Sequence, residues 1–364
     1  MTVTDPLSFV RSDFRDLEEY TPVKPLDVLA AEIGLPVESL VKLDANENLY
    51  GPHPAIREAI AAADLHIYPD PGQEALRAAI GEYLGVSAEQ VVAGAGSDDL
   101  LDILVRLTEP RAIVNVTPTF GMYSFLGKLA KARIVEVPRS AESGFAVDID
   151  GVSRAVENGA KLVFVASPNN PTGNGLTPAE AERLARLDAI VAIDEAYAEF
   201  MGRSAIEMLD RFPNLVILRT FSKWAALAGL RVGYAVLHPA LASRMMTIKQ
   251  PYNVNVAADV AARAALANRH EIMETVACLI AERERLVERL SPFAWLHAYP
   301  SEANFVLFRV EGREASAVAK GLRTRGVLVR HYDRPDLAGY IRISAGRPSD
   351  TDRLVEALTA LEAV

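Results

Sequence analysis

The stretch RTFSKWAALAGLRVGY, residues 219–234, sets Lys223 and Arg231 among small and apolar neighbours, with no Asp or Glu beside either. A buried lysine with no carboxylate is costly as an ammonium. Its useful form is then the neutral amine, a nucleophile able to condense with a carbonyl group to a Schiff base. The lack of acids is regional: the chain has 48 acidic residues in 364, yet none from Arg211 to Ala258, where an even distribution would place several. That stretch carries Arg211, Arg219, Lys223, Arg231, Arg244 and Lys249 instead. A locally positive, acid-free pocket predicts an anionic ligand.

Other chemistry-bearing residues stand where apolar runs end. VVAGAGSDD runs into Gly94 and Gly96, then Ser97 at a helix start, which offers bare amides and a hydroxyl to a phosphate. SPNNPTG is a stiff turn presenting Asn169 and Asn170, and IVAIDEAYAEF ends a run at Asp194, with Tyr197 three residues on. Singly, each has an ordinary structural reading as a turn, a cap or a solvated acid. Together they meet the needs of pyridoxal 5′-phosphate: an amine for its aldehyde (Lys223), a phosphate cup (Ser97), an acid for its ring nitrogen (Asp194) and donors for its 3′-oxygen (Asn170, Tyr197).

The elements needed to position these groups are visible in the hydrophobic pattern. From about residue 86 to 240, short apolar runs alternate with amphipathic stretches of helix length, as in KLVFVASP followed by TPAEAERLARL. This predicts an α/β fold with a mostly parallel, doubly wound sheet, whose ligands sit at the carboxyl ends of the strands. After KQPYNVNV come long helical stretches, then the strand-like NFVLFRV, VLVRHY and GYIRISA, and a closing helix, the pattern of a smaller α+β domain. The expected division is a large domain over 46–254, with 1–45 and 255–364 forming an N-terminal arm and the small domain.

The motifs SPNNPTG (167–173), DEAY (194–197), SKWAALAGLRVGY (222–234) and IRISAG (341–346), in this order, resemble the fold-type I, class II aminotransferases, which use pyridoxal 5′-phosphate. The similarity extends through LDANENLYGPHP (43–54), IYPDPG (67–72), PTFGMY (118–123) and RHYDRPDLAGYIRIS (330–344), and is to those members that act on histidinol phosphate. The resemblance implies that Lys223 is the Schiff-base lysine and proton shuttle, that Asp194 pairs with the pyridine nitrogen, and that Asn170 and Tyr197 hold the phenolic oxygen. It implies a phosphate site of Ser222, Thr220, Arg231 and the loop at Ser97 and Asp98, with Asp98 acting through its backbone amide. Phe120 takes the ring-stacking place where the family often has tyrosine, and a phenyl face still stacks. Tyr68 resembles a residue that reaches a neighbouring subunit's cofactor, which implies a homodimer. Arg342 resembles the arginine that binds the substrate carboxylate. Arg330 resembles the one that takes both the phosphate of histidinol phosphate and the second carboxylate of glutamate. Tyr20 and Asn48 are expected at the substrate end. The implied reaction exchanges an amino group between histidinol phosphate and 2-oxoglutarate in histidine biosynthesis. The alternatives are an aromatic amino-acid aminotransferase, because an aryl ring and an imidazole demand similar pockets, and a threonine-phosphate decarboxylase, because it shares the motifs.

Bulk properties point the same way. A net charge of −10 with no Lys/Arg-rich run lacks the footprint of a nucleic-acid binder. The N-terminal residues have early acids and no apolar signal region, and no apolar run is long enough to span a membrane, so a cytoplasmic enzyme is expected. The single cysteine, Cys278, excludes an internal disulfide and a cysteine-based zinc site, and reads as a half-buried core thiol. His53, His297 and His331 read as structural. A regulator's ligand-binding domain, the non-enzymatic alternative, would bring a DNA-binding segment, for which the acidic, proline-broken first forty residues are unsuited.

Overall fold

The computed structural model describes residues 5–14 and 24–362. Its strands are β1 (Val41–Leu43), β2 (Val91–Gly94), β3 (Ala112–Thr117), β4 (Arg133–Pro138), β5 (Leu162–Ala166), β6 (Ile190–Asp194), β7 (Leu215–Thr220), β8 (Gly233–Leu237), β9 (Leu296–Ala298), β10 (Phe305–Val310), β11 (Val327–His331) and β12 (Tyr340–Ser344). They form a seven-stranded sheet in the order β2-β8-β7-β6-β5-β3-β4 and a five-stranded one in the order β1-β11-β12-β10-β9.

The central strands of the large sheet are continuously apolar because both faces are covered. In β5, Leu162, Phe164 and Ala166 enter a core with Leu100, Leu104 and Tyr123. The alternate residues Val163 and Val165 face the opposite core, with Leu184, Trp224 and Ala262. All strands of this sheet run parallel except β8, which pairs antiparallel with both β7 and β2. The reason lies in the connection: residues 221–232 hold only a 3-10 turn at Ala228–Leu230, not the crossover helix that a parallel return requires. Consequently the ends of β2, β3, β5, β6 and β7 and the start of β8 share one edge, with Thr220 and Gly94 both opposite Gly233.

The smaller sheet is antiparallel apart from β1, which joins β11 in parallel. Val306, Phe308, Ile341 and Ile343 pack with Leu354 and Leu358 of the last helix, Pro348–Glu362. The long helix Arg269–Leu290 serves both cores, burying Ile272, Val276 and Leu279 in one and Leu286 and Leu290 in the other. Cys278 lies on the exposed side of this helix, contrary to the expected half-buried core thiol, because the helix buries Val276 and Leu279 on its inner stripe. Among the described residues no helix is long and apolar enough to cross a membrane.

Candidate active site

A cavity of about 380 Å³ lies between the carboxyl edge of the large sheet and residues of β11 and β12. Ser97, Asp98, Phe120, Asn170, Asp194, Tyr197, Thr220, Ser222, Lys223, Arg231, Arg330 and Arg342 all line it. These span 246 positions of sequence from first to last, and the shared edge of the strands is what collects them.

One end is suited to a phosphate. The helix Ser97–Thr108 begins at the cavity after Gly96, which has φ +82. A side chain at Gly96 would lie 2.7 Å from Arg231 Nη2, and one at Gly233 would lie 2.8 Å from Ser97 N, so close packing here depends on both glycines. Unpaired amides of the helix start face the same corner as the Ser222 and Thr220 hydroxyls, the latter donating to Ser222 Oγ at 2.9 Å. Arg231, however, has an acid partner: its Nη2 lies 3.1 Å from Asp98 Oδ2. The expectation of an acid-free arginine is corrected by tertiary proximity across 133 residues. Arg219 is likewise paired, with Glu195 at 2.9 Å and Glu199 at 3.3 Å. The acids come from the neighbouring chain end after β6, which a reading along one stretch cannot see.

Asp194 ends β6 in the cavity floor, beside Ala166 and Leu218 in register. Its Oδ2 accepts from the Tyr123 hydroxyl at 2.7 Å and its Oδ1 from Ala196 N at 3.0 Å. Burial pushes its carboxyl up to about 6, and these two hydrogen bonds partly oppose that rise. Among the described residues it has no ion-pair partner. Tyr197 is buried, and its hydroxyl accepts from Asn46 Nδ2 at 3.0 Å. Desolvation raises the phenol to about 12, against the opposing pull of Arg342.

Lys223 sits between these groups, its Nζ donating to Ala45 O at 3.3 Å and lying 5.8 Å from the Tyr197 ring centroid. Its amine is lowered to about 8, first by desolvation and then by the Arg342 charge. Arg342 Nη1 donates to Asn170 Oδ1 and its Nη2 to Asp44 O, both at 2.6 Å. Its Nε is buried without a partner, and the guanidinium lies over Phe305 at 5.2 Å. Arg330 is opposite Arg342 in the β11–β12 register. Like charges directly opposite across a ladder are unfavourable, and neither arginine has an ion-pair partner among the described residues.

Two sequence-based candidates do not line the cavity. Asn48 gives its amide to Trp224 O at 3.1 Å and Thr275 Oγ1 at 3.3 Å, so the structure does not bring it to the expected substrate end. Tyr68 is 78% exposed and stacks on Tyr252 at 4.6 Å. Tyr20 lies outside the described residues. Two residues of the site escaped sequence reasoning. Tyr123 closes the motif PTFGMY, but nothing along the chain links it to Asp194. Asn46 has φ 55, and two bonds with the Ser344 hydroxyl fix it, one from its own N to Oγ and one from that hydroxyl to Oδ1, each 2.9 Å. Neighbouring Asn169 is fully buried and holds the turn by donating to Pro118 O and Thr172 Oγ1 and accepting from Thr119.

This arrangement offers an anion cup at one end, a buried carboxylate and an amine in the middle, and, at the other end, two arginines without an ion-pair partner among the described residues. Comparison with known proteins agrees with that chemistry. Residues 38–358 match the family described as aminotransferase class I and II. The chain is 50% identical over 361 residues to the histidinol-phosphate aminotransferase of Roseiflexus castenholzii, covering 96% of this chain and 97% of that protein. It is 40% identical over 357 residues to the chloroplastic histidinol-phosphate aminotransferase 1 of Arabidopsis thaliana, covering 96% and 85%. The crystal structure of histidinol-phosphate aminotransferase from Sinorhizobium meliloti in complex with pyridoxal 5′-phosphate superposes with a TM-score of 0.87 at 29% identity, over 97% of this chain and 98% of that one.

Proposed function

The chain belongs to the class I and II aminotransferase family, and we propose that it transfers the amino group between histidinol phosphate and 2-oxoglutarate, giving imidazole-acetol phosphate and glutamate in histidine biosynthesis. It is a transaminase that uses pyridoxal 5′-phosphate. Full-length similarity to the bacterial and plant relatives favours this reaction over phenylalanine transamination or threonine-phosphate decarboxylation. The observation that carries the substrate assignment is the Arg330–Arg342 pair, two cations in register that both line the cavity and have no ion-pair partner among the described residues. One site must accept two dissimilar dianions in turn, and a pair of arginines meets the charge of both.

The residues present fit the cofactor: the Gly96 cradle that a Cβ would fill, a buried carboxylate without a cation, and a depressed lysine within one cavity. When bound, pyridoxal 5′-phosphate supplies an aldehyde to carry the amino group and a ring that draws electron density from the substrate Cα. The helix start at Ser97 and Asp98, with Thr220, Ser222 and Arg231, would hold its phosphate; Asp98 would yield Arg231 to the stronger anion. Asp194 would hold a proton on the ring nitrogen, Phe120 would cover one ring face, and Asn170 and Tyr197 would orient the 3′-oxygen. Lys223 Nζ would hold the group at rest and then carry the proton at the substrate Cα. Arg342 would fix the carboxylate of glutamate and Arg330 the substrate phosphate or second carboxylate. Exposed Tyr68, beside Leu65 and Ile67, supports a homodimer in which it reaches the partner's site. We assign the large domain to 46–254 and the rest to the arm and small domain, in a cytoplasmic enzyme.

The test is the purified enzyme assayed with histidinol phosphate, phenylalanine and threonine phosphate under 2-oxoglutarate. Turnover is expected with histidinol phosphate, and turnover with phenylalanine alone would replace the substrate while keeping the family. Arg330→Ala should lower kcat/KM for histidinol phosphate and for glutamate together, each by about 10²-fold, the scale of one lost charge-assisted pair. A loss with only one of the two substrates would remove the shared role.

A further inference from the structure

We propose that Tyr123 is a positioning residue for the reaction, its hydroxyl aiming Asp194 Oδ2 at the cofactor ring nitrogen while its ring sets the stance of Phe120. The inference rests on the cofactor chemistry above and is independent of which amino donor is used.

The geometry leaves Tyr123 little freedom. It is fully buried, stacked on Phe164 at 5.1 Å and 16°, and meets Phe120 edge-on at 5.7 Å and 85°. It lies in the first turn of the helix Met122–Leu129, which begins directly after the Phe120–Gly121 step, so the ring-covering residue and the phenol are placed by the same turn. A locked aromatic ring fixes where its hydroxyl points, and that point is the outer oxygen of Asp194 at 2.7 Å.

The carboxylate has need of such a donor. The charged and titratable groups acting on Asp194 include Asp98 on the helix Ser97–Thr108 and Glu195 next in sequence, both of like charge, and the Tyr197 phenol, with Tyr123 as the side-chain donor. Among the described residues the carboxylate's other hydrogen bond is from Ala196 N. Burial and two acids all favour the neutral carboxyl, and the Tyr123 phenol is the strongest contrary influence among the side chains. The phenol is itself held far above its ordinary range by burial and by Asp194, so it remains a donor throughout the working pH.

The experiment is a double-mutant cycle on cofactor binding, using full-length apoprotein prepared from the holoenzyme and titrated with pyridoxal 5′-phosphate. Tyr123→Phe retains the ring packing and removes only the donor. It is expected to weaken cofactor binding by about 10-fold, the scale of a hydrogen bond to a charged group. In the Asp194→Asn background the same change should have less than about 2-fold effect, because the charge it serves is gone. A spectroscopic readout accompanies the titration: the pH at which the visible spectrum of the bound cofactor changes should move in Tyr123→Phe relative to wild type. Wild-type affinity in Tyr123→Phe, or an equal loss in both backgrounds, overturns the proposal and leaves a packing residue. Wild-type apoprotein that took up no cofactor would instead overturn the functional reading, so the two failures are distinguishable.

Discussion

Lys223→Ala is expected to lose the visible absorbance of covalently held pyridoxal 5′-phosphate and to transaminate at least about 10³-fold more slowly than wild type, the loss expected when a covalent and proton-transfer group is removed. Lys223→Arg should be equally inactive. It keeps a cation in the same place, so it separates charge from nucleophilicity, and this is the distinction the site demands. Desolvation and the Arg342 guanidinium lower the Lys223 amine to about 8, and among the described residues its hydrogen bond goes to the neutral Ala45 O. Near neutral pH a useful fraction is therefore unprotonated, which an ordinary lysine does not offer. Because the amine is neutral above that value, the rate at which wild-type apoprotein captures the cofactor should rise with pH through about 8 and then level off. Retained colour or turnover in Lys223→Arg would exclude the lysine from the chemistry.

Much of this site is legible in the sequence because its residues sit at ends of apolar runs, and a parallel sheet brings those ends to one edge. The runs themselves are readable since strands covered on both faces must be apolar at every position, as Leu162–Ala166 and Leu215–Thr220 largely are. What the sequence hides is pairing across distance. The acid-free stretch around Lys223 suggested arginines without acids, yet Arg219 meets Glu195 and Glu199 from the chain beyond β6, and Arg231 meets Asp98. Lys223 itself, set between a backbone carbonyl and a tyrosine face, does stand without an acid partner among the described residues. Tyr123 and Asn46 lie inside motifs quoted from the sequence, but their roles were hidden for the same reason: their partners, Asp194 and Tyr197, lie 71 and 151 positions away. Asn48 erred in the other direction, since a polar residue beside matching motifs turned out to hold Trp224 and Thr275.

Asp194→Asn should separate function from stability in opposite directions. On activity, the change leaves an isosteric side chain whose one oxygen can still accept from Tyr123, but it loses the bond from Ala196 N and carries no charge toward the ring nitrogen. Losing one partner of a buried charge pair costs roughly 2–5 kcal/mol, so kcat/KM should fall by about 10²–10³-fold, with weaker cofactor retention. On stability, the apoprotein should gain. The Asp194 carboxyl is raised from 3.8 to about 6 in the fold, chiefly by burial. The folded chain therefore holds this proton more tightly than the unfolded chain, and between these two pH values stability falls as pH rises. Above about 6 the full penalty stands, on the order of 1–3 kcal/mol. Asparagine removes it at the smaller loss of the hydrogen bond from Ala196 N, on the order of 1 kcal/mol, so at pH 7 to 8 apo Asp194→Asn should melt higher than apo wild type, while below about pH 4 that advantage should be gone. Cofactor binding should reverse the order, because the protonated ring nitrogen supplies the cation that Asp194 lacks in the bare fold. Paired melting curves with and without pyridoxal 5′-phosphate check this. If apo Asp194→Asn melts no higher than apo wild type at pH 7.5, the buried carboxylate is already compensated within the fold. It would then not be held in readiness for a cationic partner.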